Sequence, residues 1–243
     1  MALYERIAGF YDEIFPLKQA RLDFLDSVLG EKAGNVLDIG CASGELALAL
    51  AKKGFHVCGI DLDETMIAVA GGKAAKHGVK IDFFCRDMLN VGEDFAPGSF
   101  AAVLCFGNTL AHLESLGKIA DFLKGVHYIL KSGGVVVLQV VNFSRVLAGE
   151  MKELPLLESE NFMFRRLYDY DAVNHRVGFQ TFLTIKRSGE VMENKEYLYP
   201  LTHGELERLL VSGGFTGLRF WGNESMIPYA LTGPALVAAA IKS

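Results

Sequence analysis

Asp38, Gly40, Ala42 and Gly44 stand two residues apart, between an apolar run (Val36, Leu37, Ile39) and the helix-forming stretch Glu45 to Ala51. Glycine lacks a Cβ and tolerates unusual φ/ψ, so a ligand can lie against bare backbone at such a turn. The helix behind it offers unpaired N–H groups to polar or charged ligand atoms. On spacing alone this is a mononucleotide-type site at a strand's carboxyl end. Two phosphate readers are excluded by what is missing. A dinucleotide turn needs G-x-G-x-x-G, and a phosphate loop needs Lys followed by Ser or Thr. Here Ala42 lies between the two glycines and no Lys follows Gly44. The next apolar run, His56 to Ile60, ends at Asp61, seventeen residues beyond Gly44. A carboxylate there can accept hydrogen bonds from both hydroxyls of a ribose. Helix capping is the alternative use, and Asp63 is better placed for that.

The pattern Asp38-x-Gly40-x-Ala42-x-Gly44, with Asp61 downstream, resembles motif I of the class I S-adenosylmethionine (SAM) dependent methyltransferases, D/E-x-G-x-G-x-G. Ala42 replaces the middle glycine and adds a methyl group where cofactor and backbone come close. The resemblance runs through essentially the whole chain. Tyr4, Ala8, Tyr11 and Asp12 match the Y-x-x-x-A-x-x-Y-D opening of many small-molecule methyltransferases. Gly107 to Leu113 resembles motif IV, Ile129 to Gly134 the family's L-K-P-G-G, and Leu201 to Phe215 its T-x-x-E-L-x-x-L-L-x-x-A-G-F. What the resemblance implies is SAM as cofactor, in a site that includes Asp38, Gly40, Ala42, Gly44, Asp61, Leu62, Met66, Asp87, Met88, Phe106 and Asn108. In it Asp61 would hold the ribose, Asp87 the adenine amino group, and Met88 would lie against the ring. Tyr11, Asn108 and His112 would stand near the transferring methyl, with Tyr11 on a segment that closes over the cofactor. Each also has an ordinary use: terminal aromatics pack on the body, Asp87 can sit in a surface turn, and a lone His often serves only as a structural hydrogen-bonder.

Alternating strands and helices must position these residues, which predicts an α/β chain with a doubly wound, mostly parallel sheet. Helical spacing covers 18–29, the stretch after Asp63 and 114–130; Gly71-Gly72 is expected to end or loosen the second of these. Short strands end at Ile39, Asp61 and Phe84, and Phe100 to Phe106 reads as a central strand covered on both faces. Val135 to Val141 is the fifth strand. Phe215 to Trp221 and Ala235 to Ile241 complete a seven-stranded Rossmann-like sheet whose last strand is antiparallel. Residues 142–200 break the alternation. Phe162–Asp171, His175–Arg187 and Val191–Tyr199 read as three long strands, and Val177, Phe179, Thr181, Leu183 and Ile185 alternate with period two, as in an antiparallel meander with one buried face. This inserted cap resembles that of glycine- and sarcosine-type N-methyltransferases. The expected division is a cofactor-binding core with its N-terminal segment at 1–141, the cap at 142–200, and completion of the core at 201–243.

The resemblance and the cap together suggest a small-molecule acceptor, methylated at N, O, S or C. An RNA or protein methyltransferase, or a non-catalytic SAM-binding domain, is the rival. Aromatics and arginines of the insert suit an acceptor pocket or the interface of a homodimer equally. The 243 residues carry 24 Lys and Arg against 29 Asp and Glu, a formal charge of −5. That balance argues against a broad basic face for nucleic acid. No apolar run is long enough for a membrane span. No acidic or cysteine cluster has metal-site spacing, so no metal is expected. Cys58, Cys85 and Cys105 lie in apolar runs and read as buried core residues, while Cys41 sits in the turn itself. With no leader pattern and no paired cysteines, the expectation is a cytoplasmic protein. Mobility-shift titrations with tRNA and rRNA fragments at low salt should show no salt-sensitive binding tighter than about 1 μM, beyond ordinary non-specific affinity.

Overall fold

A computed structural model describes residue 7, residues 9–30 and residues 34–243; Tyr4 and Ala8 of the N-terminal pattern lie outside the described residues. Its main sheet has seven strands: β1 (Asn35–Ile39), β2 (His56–Asp61), β3 (Asp82–Cys85), β4 (Phe100–Cys105), β5 (Leu130–Val141), β10 (Phe215–Trp221) and β11 (Ala235–Lys242). They run in the order β10-β11-β5-β4-β1-β2-β3. β1 to β5 are parallel, and β11 is antiparallel to both neighbours. β4 and β1 are the innermost strands, and both are buried almost throughout. Burial on both faces suits the apolar run of β4 and Val36, Leu37 and Ile39 of β1, and it takes Asp38 of β1 out of solvent as well.

Helices cover the sheet: α1 (Tyr11–Ile14), α2 (Gln19–Leu29), α3 (Glu45–Lys52), α4 (Glu64–Lys76), α5 (Val91–Asp94), α6 (Leu116–Ile129), α7 (Phe143–Leu147) and α8 (His203–Ser212). Chain order reverses between β1 and β4, where Ile39 is level with Cys105. The loops that follow these two strands therefore open side by side, the place where open α/β sheets bind ligands. The cap forms a separate sheet, β6 (Leu157–Glu158), β7 (Phe162–Asp171), β8 (Arg176–Ile185) and β9 (Glu190–Leu198), all antiparallel.

Several expectations need correction. The cap has four strands and a preceding helix, because β6 and α7 are too short for their periodicity to register. α4 runs straight through Gly71 and Gly72. A Cβ at either would meet nothing within 4 Å, while Ala70 and Ala74 are buried, so packing elsewhere on the helix outweighs the two glycines. Cys85 is exposed and Cys58 half-buried, because β3 is the uncovered edge of the sheet. β5 begins at Leu130, with the Lys131–Gly134 turn absorbed into its irregular start.

One buried side chain ties the crossover to the sheet. Asn142, 1 % exposed, shares its Nδ2 protons among the carbonyls of Ala230, Leu231 and Gly233, and its Oδ1 accepts from Tyr229 Oη. It thereby anchors the segment leading into β11. Asn142→Ala leaves several buried polar groups unpaired and should cost about 2–4 kcal/mol, read as a lower urea midpoint at unchanged slope.

Candidate active site

The turn after β1 is left-handed at three points: Gly40 at φ 67°, Ala42 at φ 45° and Gly44 at φ 78°. A Cβ at Gly40 would stand 2.6 Å from Thr109 Oγ1, and one at Gly44 would stand 2.8 Å from the Ala70 Cβ. Both glycines are thus required by the protein's own packing as well as by backbone geometry. At Ala42 a left-handed backbone costs an L-residue about 1–2 kcal/mol. Asp61 offsets it: Ala42 N–H donates to Asp61 Oδ2 at 2.8 Å, and Asp63 N–H donates to Oδ1 at 3.0 Å. Each carboxylate oxygen keeps acceptor capacity for a ligand. Asp63, not Asp61, caps α4, accepting from Thr65 and Met66 N–H. The bracing role of Asp61 was invisible in the sequence, which shows no bond between residues nineteen apart.

Asp38 is buried beside this turn, and its Oδ2 has no hydrogen-bond partner. Burial pushes its carboxyl up from the ordinary 3.8 to about 7; Arg21 opposes the shift and Asp61 adds to it. Burial also raises Asp61, against the pull of its backbone donors, and raises the Cys41 thiol, which disfavours a thiolate in the turn.

Among the other expected cofactor residues, Leu62 projects into solvent at 60 % exposure. Asp87 Oδ1 accepts from Leu89 N–H and so caps a 3-10 turn. Met88 is buried in the apolar core that contains Leu37 and Val91. Met66 packs in a cluster with Ala42 and Ile14. Phe106 is buried, with the Arg21 guanidinium 4.7 Å above its ring.

The loop after β4 is likewise braced. Asn108 is left-handed at φ 67°, and its Oδ1 accepts from Val141 N–H at 3.0 Å, tying the loop to β5. That bond assigns the Asn108 side chain a positioning role in this structure. His112 faces the cap: its Nδ1 is 3.1 Å from Glu196 Oε2, and Asn194 donates to Glu196 Oε1 at 2.8 Å. The His112 bond comes first among the causes that, despite burial, hold the Glu196 carboxyl below its usual range. Tyr11 lies against Phe15 with the rings tilted, and Phe15 meets Phe164 of the cap edge-on. Asp12 accepts from Ser43 Oγ and pairs with Lys73, which also reaches Glu45 at 2.8 Å. Helix α1 is therefore fastened to the turn through Asp12. Sequence reading missed Glu196 and Lys73, because only folding brings them to the site, and showed no partner for Ser43, which lies in the turn itself. Among the described residues no group of three or more His, Cys, Asp or Glu is arranged to hold a metal ion.

The environment of Asp38 has a consequence for pH. Between the ordinary 3.8 and about 7 the folded chain holds a proton that the unfolded chain has lost. Stability should fall as pH rises through that window and level off above it. In Asp38→Asn this descent, at most on the order of 4 kcal/mol, should be absent. Urea unfolding of both proteins from pH 4 to 8 checks it; parallel curves would contradict the assignment.

Comparison with known proteins bears on this geometry. Residues 36–134 match the model of a family described as methyltransferase domain. A putative methyltransferase of Geobacillus sp. (strain WCH70) is 34% identical over 145 residues, covering 56% of this chain and 57% of that protein. A ubiquinone biosynthesis O-methyltransferase of Pseudomonas aeruginosa is 32% identical over 132 residues, covering 54% and 55%. The chain thus spans little more than half the length of these curated relatives. Among solved structures, a SAM-dependent methyltransferase from Clostridium acetobutylicum superposes with a TM-score of 0.83 at 16% identity, over 99% of both chains. The CcbJ methyltransferase from Streptomyces caelestis gives 0.80 at 20% identity, over 98% of this chain and 96% of that one. The chain carries a match to the methyltransferase domain family in residues 36–134 and has, over nearly its whole length, the fold of solved SAM-dependent methyltransferases.

Proposed function

We propose that this protein is a SAM-dependent methyltransferase acting on a small organic acceptor. One observation carries the reading: at the switch point of the sheet, a braced glycine-bearing turn with buried Asp38 and half-buried Asp61 lies beside the loop after β4. The cap and helix α1 pack beside them. The residues present fit the cofactor. Asp38 Oδ2 is a buried acceptor without a partner, suited to a donor group of a ligand at the turn. Asp61 keeps lone pairs for ribose hydroxyls, Asp87 keeps its second oxygen for an amino group, and exposed Leu62 offers apolar cover. Met88, buried below Asp87, would line the site from the core side.

When bound, SAM supplies a sulfonium-activated methyl group open to direct displacement. The chain's own contribution is alignment and exclusion of water. Residues 1–141 and 201–243 form the cofactor-binding core in this reading, and 142–200 the acceptor cap. In this reading Tyr11, next to Asp12 that ties its segment to the turn, and His112, bonded to Glu196, would face the acceptor. Asn108 keeps the loop between them in register. Support for a small acceptor comes from the cap and from a relative named for ubiquinone biosynthesis; a solved structure that shares the fold is titled an amino pentose methyltransferase. Amino acids of the glycine and sarcosine kind belong to the class. Four free cysteines suit a reducing, cytoplasmic setting.

A screen of small amines, amino acids, carboxylates and phenols for S-adenosylhomocysteine production tests the activity directly. Turnover only with RNA or protein would replace the acceptor class, and binding of SAM without any turnover would leave a non-catalytic module. Asp61→Ala should weaken S-adenosylhomocysteine by about 1.5–3 kcal/mol in calorimetric titration. Wild-type affinity in a folded variant would overturn the ribose assignment.

A further inference from the structure

Along the cap, residues 164, 166, 168 and 170 of β7 share one face with 177, 179, 181 and 183 of β8 and with 192, 194, 196 and 198 of β9. This face is apolar at its two ends. Phe164, Leu183 and Met192 join the cluster of Ala42 and Met66, next to the turn after β1. Tyr168, Val177 and Leu198 join the cluster of Leu110 and Ala111, in the loop after β4. Between the ends the register sets Arg166, Thr181 and Asn194 in one row, with Glu196 in the next. The polar row thus spans the gap between the two loops that flank the candidate transfer point.

Two groups in this row lack partners. Thr181 is 2% exposed, and its buried hydroxyl has no hydrogen bond. Arg166 Nε is buried and unpaired as well, although its Nη2 donates to Pro155 O. Directly opposed residues on antiparallel strands bring their Cβ atoms within about 5.5 Å. Arg166 and Thr181 are therefore direct neighbours on this face, and neither the Nε–H of the first nor the hydroxyl of the second has a partner. The nearby negative charge of Glu196 is engaged by His112 and Asn194. Buried donors without acceptors are costly, and the group that would satisfy this pair is an anionic oxygen.

We propose that Arg166 and Thr181 form the subsite for an oxyanion of the methyl acceptor, a carboxylate or a phosphate monoester, one donor to each of two oxygens. This rests on the methyltransferase reading above. Phe10 and Tyr11 pack in the same cluster as Phe164 and Leu183, so the acceptor enters with displacement of the N-terminal segment.

The test pairs wild type with Thr181→Val and Arg166→Gln. Probes are small amines bearing a carboxylate, the matched neutral amides and the matched phosphate monoesters. S-adenosylhomocysteine formation and thermal shift in its presence are read for each. Anionic members should act or stabilise and their amides should not; preference between carboxylate and phosphate identifies the source of the oxyanion. Thr181→Val should raise KM, or the half-shift concentration, at least tenfold. Its melting temperature should hold or rise, since no native bond is lost, and its titration by S-adenosylhomocysteine should match wild type. Arg166→Gln should show the same KM increase. Equal response to amides, an unchanged KM in Thr181→Val, or no response to any anionic member overturns the subsite while leaving the methyltransferase reading intact. Failure of wild type to bind S-adenosylhomocysteine removes both.

Discussion

Ala42 holds a left-handed backbone while its N–H donates to Asp61 Oδ2 across the ends of β1 and β2. In the turn that resembles motif I, glycine usually takes this position, and there the conformation is free of the Cβ penalty. Here the carboxylate at the end of β2 supplies the restraint. The same carboxylate takes the N–H of Asp63 and so places the cap of α4. Turn, strand end and helix start are fixed relative to one another through one side chain. Changing Asp61 alters the shape of the site together with its charge.

A second set of restraints closes the site from above. Asp12 reaches Ser43 and Lys73, and Lys73 reaches Glu45 at the start of α3. Phe15 meets Phe164 of the cap, and Glu196 meets His112 of the core. These ties are partly exposed, so each contributes modestly to stability. Their value is geometric: they hold three sequence-distant segments around the space beside the turn. Weak ties of this kind can be broken and remade as ligands enter and leave.

Burial is strongly uneven around that space. The apolar strands β1 and β4 leave Asp38 buried with one oxygen unpaired, and the cap leaves Thr181 and Arg166 Nε in the same condition. Elsewhere buried polar groups are paired with care, as Asn142 is with three carbonyls. The described side chains carry their unsatisfied polar atoms at the turn and on the cap, where a bound ligand would complete them.

Local pattern was enough to read much of this from the chain. The glycine spacing, the acidic strand ends, the apolar run of β4 and the capping box Thr202–Glu205 are each decided within a few residues, by backbone freedom, alternation or helix-end chemistry. Such signals survive in one dimension because the forces behind them act over one turn of helix or one strand. The extra strand β6, the continuity of α4 through two glycines and the exposure of Cys85 depend on neighbours across the sheet, and local propensity misread them. Roles at the site followed the same division. Asp38, Asp61 and His112 were legible as residues. That Asp61 braces Ala42, that Asn108 braces β5, that Glu196 meets His112, and that Arg166 and Thr181 share one row of the cap was decided by tertiary structure. Strand pairing and sheet order bring together groups that no sequence interval relates.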